Sequence, residues 1–272
     1  MKKLIRNALL RHAPPVFYAI SSVRFFQRCK VLYADIQNRL HREVYGNGRI
    51  QVLSGPFKGM EYYNKIIWGP VTGKWIGCYE EELSQVIHDI LASDYDTLID
   101  VGAAEGYYAV GFAWKLPATR VISYDIDPIA RRRQRQLAKL NGVENLQVLT
   151  YCSHEELARR ITNRSFVMSD VEGFELELLD PEKCPALTRC DILVEIHRAG
   201  GMEVSGVEKV IAERFSPTHE IARFGVTPRD ASSIQCIPGL EKLSAEVLTK
   251  AASEDRMPEQ RWLWMKTRHP HS

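Results

Sequence analysis

From Asp96 to the carboxyl end, short apolar runs alternate with stretches whose apolar positions recur at helical spacing. The runs Thr97–Val101, Arg120–Tyr124, Leu146–Leu149, Ser165–Ser169, Asp191–Ile196, His219–Phe224 and Arg261–Met265 predict strands. Helices are predicted between them. One runs from Tyr107 to Leu116 and is stopped by Pro117. The next opens on Asp127-Pro128, an N-cap followed by proline, and closes at Asn141-Gly142. Others are expected over Glu155–Ile161, Phe174–Leu179, Val207–Phe215 and Leu240–Ala252. Upstream, Arg49 to Tyr63 alternates around Ser54-Gly55-Pro56 and Gly59 and predicts a hairpin. The Gly/Trp-rich stretch 66–77 reads as a loop. Tyr79-Glu80-Glu81-Glu82 opens a helix carrying Leu83, Val86, Ile87, Ile90 and Leu91 on one face.

Strands alternating with helices of about ten residues imply βαβ units, a parallel sheet and helices on both faces. The chain divides into a basic helical arm (1–45), a hairpin with a lead-in helix on the substrate side (46–92) and a sheet domain (93–272). Ligands of such sheets lie outside the carboxyl ends of the strands. The residues that follow each strand are therefore the candidates for chemistry.

After the first strand comes Asp100-Val101-Gly102-Ala103-Ala104-Glu105-Gly106. Its two glycines allow a tight turn and a close approach to a ligand. A dinucleotide site would carry G-x-G-x-x-G; here a carboxylate precedes the first glycine by two residues and would repel a pyrophosphate. Asp100 suits a ligand bearing an ammonium and a sulfonium, and S-adenosylmethionine is such a ligand. Asp125, after the second strand and beside Ile126, is placed to accept both hydroxyls of a ribose, whereas Asp127 is better explained as a helix cap. Tyr151 and Cys152, after the third strand, would border the adenine. Each feature has a plainer reading, since many strand–helix turns hold two glycines and Asp125 could cap a helix. Their register at successive strand tips favours the cofactor.

Composition narrows the class. With 272 residues, 45% hydrophobic, 17 Gly and 13 Pro, the chain is globular rather than collagen-like or disordered. Its charge of +2 is uneven. Residues 1–44 hold nine basic residues against two acids, a net of +7, which leaves −5 for the rest. That arm suits packing on the body, or peripheral contact with an anionic membrane or partner. Arg6, Arg11, His12 and Pro14-Pro15 interrupt what would otherwise resemble a signal peptide. Six cysteines without a CxxC pair fit reduced thiols and a cytoplasmic, at most membrane-peripheral, protein.

The segments LIDVGAAEGYYAVG, VISYDIDP, LNGVENLQV, SDVEGFELELL and ILVEIH resemble the FkbM-type S-adenosylmethionine-dependent methyltransferases. The most specific piece is Asp170-Val171-Glu172-Gly173-Phe174-Glu175, which matches that family's D-x-E-G-x-E signature. The resemblance spans roughly residues 50–200. It implies a Rossmann-like seven-stranded sheet of order 3-2-1-4-5-7-6 with the last strand antiparallel. It also implies methyl transfer to a hydroxyl of a small molecule or glycan. Asp100, Gly102, Ala103, Ala104, Glu105 and Gly106 fall in the glycine loop and Asp125 on the ribose acid. Ala104 replaces a common glycine, which reads as a conservative loss, and Asp125 replaces a common glutamate.

In that order the fourth and fifth strands are neighbours, so Asp170, Glu172, Glu195 and His197 are expected to cluster. His197 is the candidate general base. Asp170 could orient substrate or cofactor, Glu172 adjoins it, and Glu80 could reach the methionine end. The same carboxylates and His197 could hold a divalent metal, but no metal is favoured. Arg131-Arg132-Arg133-Gln134-Arg135 reads as a solvated helix face, and nucleic acid is an unfavoured partner. The alternatives are an RNA methyltransferase and a non-catalytic protein of this fold that binds a partner.

Overall fold

A computed structural model describes residues 33–64, 70–229, 231–254 and 256–268. Seven apolar runs build one sheet: β3 (Thr97–Val101), β4 (Arg120–Tyr124), β5 (Leu146–Leu149), β6 (Ser165–Ser169), β7 (Asp191–Ile196), β8 (His219–Gly225) and β9 (Arg261–Thr267). Their spatial order is β5-β4-β3-β6-β7-β9-β8. β9 runs antiparallel to both of its neighbours, and the other pairings are parallel. In strand count this is 3-2-1-4-5-7-6, the Rossmann-like methyltransferase sheet expected from the sequence. The central strands β3, β6 and β7 are buried at every position, so they read as continuous apolar runs rather than as alternation.

Alternate residues of these strands feed two core layers. One face carries Ile99, Ile122, Val167 and Val194 against Leu157, Val207, Ile211 and Phe215. The other carries Leu98, Val121, Phe166 and Leu193, and it also takes in Val52, Phe57, Tyr62 and Trp75 from the segment before the sheet. That segment begins with the antiparallel pair β1 (Ile50–Gln51) and β2 (Glu61–Tyr62). Phe57 is fully buried, edge-on to Tyr107 at 5.3 Å and Phe112 at 5.6 Å. It lies on α3 (Tyr107–Lys115) at Gly111, where a methyl group would sit 2.7 Å from the ring.

Two stretches depart from expectation. The Gly/Trp-rich stretch contains a helix, α1 (Thr72–Ile76), closed by Gly77 at φ 87. Five residues make less than two turns, too few to show a period. A Cβ on Gly77 would lie 2.0 Å from the Ser54 carbonyl, so the hairpin crosses there only over glycine. The helix expected from Leu240 is shorter, α9 (Ala245–Ala252), and is preceded by α8 (Ala231–Gln235). Leu240 and Leu243 are buried from turn conformations, so they mimic helical spacing without belonging to the helix. The expectations for residues 1–32 lie outside the described residues; residues 33–43 are helical. Among the described residues no helix is long and apolar enough to cross a membrane.

Candidate active site

The loops after β3 and β6 line one crevice, and the ends of β4 and β7 flank them in the sheet. The loop after β3 starts with Gly102 at φ 86, whose N–H donates to the Tyr124 carbonyl at 2.9 Å. A side chain cannot fit at this position, because a Cβ would lie 1.7 Å from the Asp170 carbonyl oxygen. The loop ends on Gly106 at φ 94, directly before α3. Between them Ala104 is also left-handed, at φ 45. Its substitution for glycine is therefore not conservative: an L-residue there costs about 1–2 kcal/mol. Two bonds hold it. Its N–H donates to Asp125 Oδ2 at 2.8 Å, and its carbonyl accepts Gln134 Nε2 at 2.8 Å. Gln134 is fully buried and also accepts the Ser123 hydroxyl at 2.6 Å. It thus leaves the solvated face assigned to the arginine run and becomes a brace for the loop.

Asp125 accepts the Asp127 N–H on Oδ1 at 2.8 Å, besides Ala104 on Oδ2, so each oxygen keeps one free lone pair. Burial pushes its carboxyl up to about 7 against the opposing pull of those N–H bonds. Ile126 follows it, half-buried. Asp127 caps α4 (Pro128–Leu140), accepting the Ile129 N–H at 2.7 Å. Past β5, Tyr151 is 58% exposed and Cys152 is buried.

Glu80, Asp100, Ala103 and Asp170 wall the crevice, with Met168 and Trp262 among its apolar lining. Burial, then the neighbouring Asp125 charge, raises the Asp100 carboxyl to about 7, and its Oδ2 has no partner. Glu80 is buried, left-handed at φ 48, and accepts the Tyr108 hydroxyl at 2.6 Å. Burial raises it to about 8; Arg256 opposes the rise, and Glu195 and Glu254 add to it.

The acids after β6 and β7 converge on His197. Its Nε2 lies 3.7 Å from Asp170 Oδ1, 3.7 Å from Glu172 Oε2 and 3.8 Å from Glu195 Oε2. Its Nδ1 lies 2.6 Å from Oε1 of Glu175, which is fully buried and also accepts the Gly173 N–H. Glu175 closes the D-x-E-G-x-E signature, so its motif position marked it, but no role followed from the sequence alone. A carboxylate against Nδ1 fixes the proton there and turns Nε2 toward the crevice. Burial disfavours the charged imidazole, but the Glu175 bond and the Glu195 and Glu172 charges outweigh it and raise His197 to about 9. Burial and the surrounding carboxylates also raise Asp170 well above its ordinary range. Asp170, Glu172 and His197 each offer one ligand atom within 4.8 Å of the others, so their donor set fits a divalent cation.

A second network carries no sequence signal. Arg229 and Arg256, both buried, come from the segment between β8 and β9. Arg256 pairs with Glu195, bonds Glu82 at 2.8 Å and stands 3.5 Å from Glu80. Arg229 bonds Glu82 and Glu254, each at 2.7 Å. The bond from Arg256 to Glu82 joins residues 174 apart, and only the folded chain brings such partners together.

No protein-family model matches the chain, and no curated protein does. Solved structures of similar fold include a putative O-methyltransferase from Klebsiella pneumoniae, with 10% identity over 90% of this chain and 99% of that one and a TM-score of 0.45. An rRNA methylase from Streptococcus thermophilus shows 13% identity over 68% and 96%, with a TM-score of 0.44. A precorrin-6y C5,15-methyltransferase from Geobacter metallireducens GS-15 shows 12% over 67% and 87%, with a TM-score of 0.45. At these values the similarities assign no chemistry to this chain.

Proposed function

We propose that the protein is an S-adenosylmethionine-dependent methyltransferase of FkbM type, acting on a hydroxyl of a small molecule or glycan. One observation carries the reading. Asp100 at the end of β3 and Asp170 of the His197 cluster line one crevice beside the glycine loop, and a buried oxygen of each accepts no hydrogen bond there. Such oxygens are costly to leave unmade, and a cationic ligand satisfies them. S-adenosylmethionine, when bound, supplies an electrophilic methyl group on a positive sulfur.

The chain's own residues would divide the work. Asp125 receives the ribose hydroxyls on its remaining lone pairs. The loop Gly102–Gly106 brings its backbone against the ligand, with Ile126, Tyr151 and Cys152 on the adenine side. Asp100 faces the positive end, and Glu80 stands on the methionine side. Asp170 and Glu172 orient the acceptor hydroxyl, whose proton passes to Nε2 of His197. The imidazole and its carboxylates titrate as one unit. That unit holds a proton at neutral pH, so the fraction able to act as base grows toward pH 9. A divalent cation on Asp170, Glu172 and His197 would lower the hydroxyl's pKa instead, and EDTA sensitivity separates the two routes. The lip of the crevice is acidic, with the Glu172 side chain 78% exposed, which supports a neutral acceptor over a polyphosphate.

The test is calorimetry with S-adenosylhomocysteine on the wild type and Asp125→Ala, then a labelled-methyl screen of metabolites and glycans. We expect micromolar binding that weakens at least about tenfold in the variant, the loss of one charge-assisted contact. No binding by the wild type refutes the reading. With an acceptor in hand, His197→Ala should lose about 100-fold or more in kcat; unchanged turnover retires the base.

A further inference from the structure

The crevice holds an ion pair that the proposed chemistry leaves unused. Lys74, on α1, pairs its Nζ with Glu105 Oε1 in the glycine loop, and the two side chains are only 6% and 4% exposed. The Tyr62 hydroxyl donates to the same Oε1 at 3.0 Å. The other oxygen, Oε2, is buried and has no partner. Lys74 Nζ also stands 4.5 Å above the Tyr79 ring. An ammonium has three donors, and one is given to Glu105.

Both residues line the crevice, and among its described lining residues Lys74 is the sole lysine or arginine, set against Glu80, Asp100, Glu105 and Asp170. A carboxylate entering this space meets repulsion everywhere except at Lys74. An ammonium has several acids to choose from. Glu80 already faces the Tyr108 hydroxyl and Arg256, whereas Glu105 presents an unsatisfied oxygen beside Lys74. The pair is thus a buried cation next to a buried anion, complementary to the two charges of an α-amino acid.

Resting on the function proposed above, we infer that Lys74 and Glu105 seat the amino-acid end of the cofactor. Lys74 takes its carboxylate and Glu105 Oε2 its ammonium. The pair then acts as a specificity element that separates whole cofactor from fragments lacking the amino acid.

Calorimetry on the full chain tests this with three ligands. They are S-adenosylhomocysteine, its decarboxylated analogue, and methylthioadenosine, which lacks the amino-acid end altogether. On the wild type, the decarboxylated analogue should bind at least about tenfold more weakly than S-adenosylhomocysteine; equal affinity overturns the assignment without any variant. In the double variant Lys74→Met/Glu105→Gln both charges go together, so neither is stranded in the interior. Its affinity for S-adenosylhomocysteine should fall at least about 30-fold while methylthioadenosine binds within about threefold of wild type. Unchanged S-adenosylhomocysteine binding, or an equal loss of both ligands, overturns the proposal. A wild type that binds none of the three overturns the methyltransferase reading on which it rests.

Discussion

Gly102→Ala measures how tightly the loop after β3 is built against the end of β6. The substitution carries two costs. An L-residue at φ 86 costs about 1–2 kcal/mol, partly offset by about 0.4–1 kcal/mol of reduced unfolded-state entropy. The added methyl carbon would also stand 1.7 Å from the Asp170 carbonyl oxygen and 2.7 Å from its carbon. That carbonyl cannot simply retreat, because the Asp170 N–H donates to Val101 at 2.9 Å and holds the end of β6 against β3. Forcing them apart costs about 1–3 kcal/mol of overpacking and about 1 kcal/mol for the bond. The total is about 2–6 kcal/mol. Gly142 supplies the internal control: it is left-handed at φ 63 with nothing within 4 Å of an added Cβ. Gly142→Ala should lose only about 0.5–1.5 kcal/mol. At this chain length 1 kcal/mol moves the melting temperature by about 2 °C. Calorimetric melts should therefore drop by about 4–12 °C for Gly102→Ala and by about 1–3 °C for Gly142→Ala, with about 4–8 °C between them from the costs they do not share. Melting temperatures within about 2 °C of each other would refute the close approach, since that margin is one kcal/mol.

Arg256→Ala leaves Glu80, Glu82 and Glu195 without their shared cation in a buried setting. It should destabilise by about 3–5 kcal/mol in urea unfolding, and a loss below about 1 kcal/mol would show the network to be solvent-screened. Stability without ligand should fall from pH 6 to pH 9. Asp100 and Asp125 (about 7) and Glu80 (about 8) bind protons more tightly folded than unfolded, so their contribution is complete near pH 4 and gone above their folded values. His197 acts in the same direction, its contribution present below 6.5 and lost as pH rises through about 9. A melting temperature that rises over this range contradicts the burial of these groups.

The sheet was legible because its strands are short, fully buried at the centre and punctuated by cap signals that act within a few residues, as at Asp127-Pro128. The strand tips were legible for the same reason: a carboxylate placed after a strand sits at the crevice whatever the rest of the chain does. Ala104 shows where local reading stops. Its left-handed backbone is imposed by Asp125 and by Gln134, thirty residues away, and no propensity of alanine announces it. Lys74 sat in a stretch without periodicity, and its partner Glu105 looked like one loop residue among several. Arg229 and Arg256 come from the segment between β8 and β9, whose turns and short helices gave only a blurred pattern, and the Glu82 they share lies more than a hundred residues earlier.

Charge accounting ties these pieces together. Arg229 and Arg256 offset part of the charge of Glu80, Glu82, Glu195 and Glu254, and Lys74 offsets Glu105. Asp170, Glu172, Glu175 and Glu195 gather on the single imidazole of His197, while Asp100 stands beside the charge of Asp125. Isolated carboxylates do not stay ionised in such surroundings, and raised pKa values at Asp100, Asp125 and Asp170 are the response. Held protons therefore occupy the place of missing positive charge. A cationic ligand can replace them, and it would satisfy oxygens such as Asp100 Oδ2 and Asp170 Oδ1 that accept no hydrogen bond from the described residues. An anionic ligand would have to enter against the same field. The acids that weaken the unliganded fold as pH rises are in this way the ones a cationic ligand would satisfy, and two arginines from a distant segment offset part of the charge of the rest.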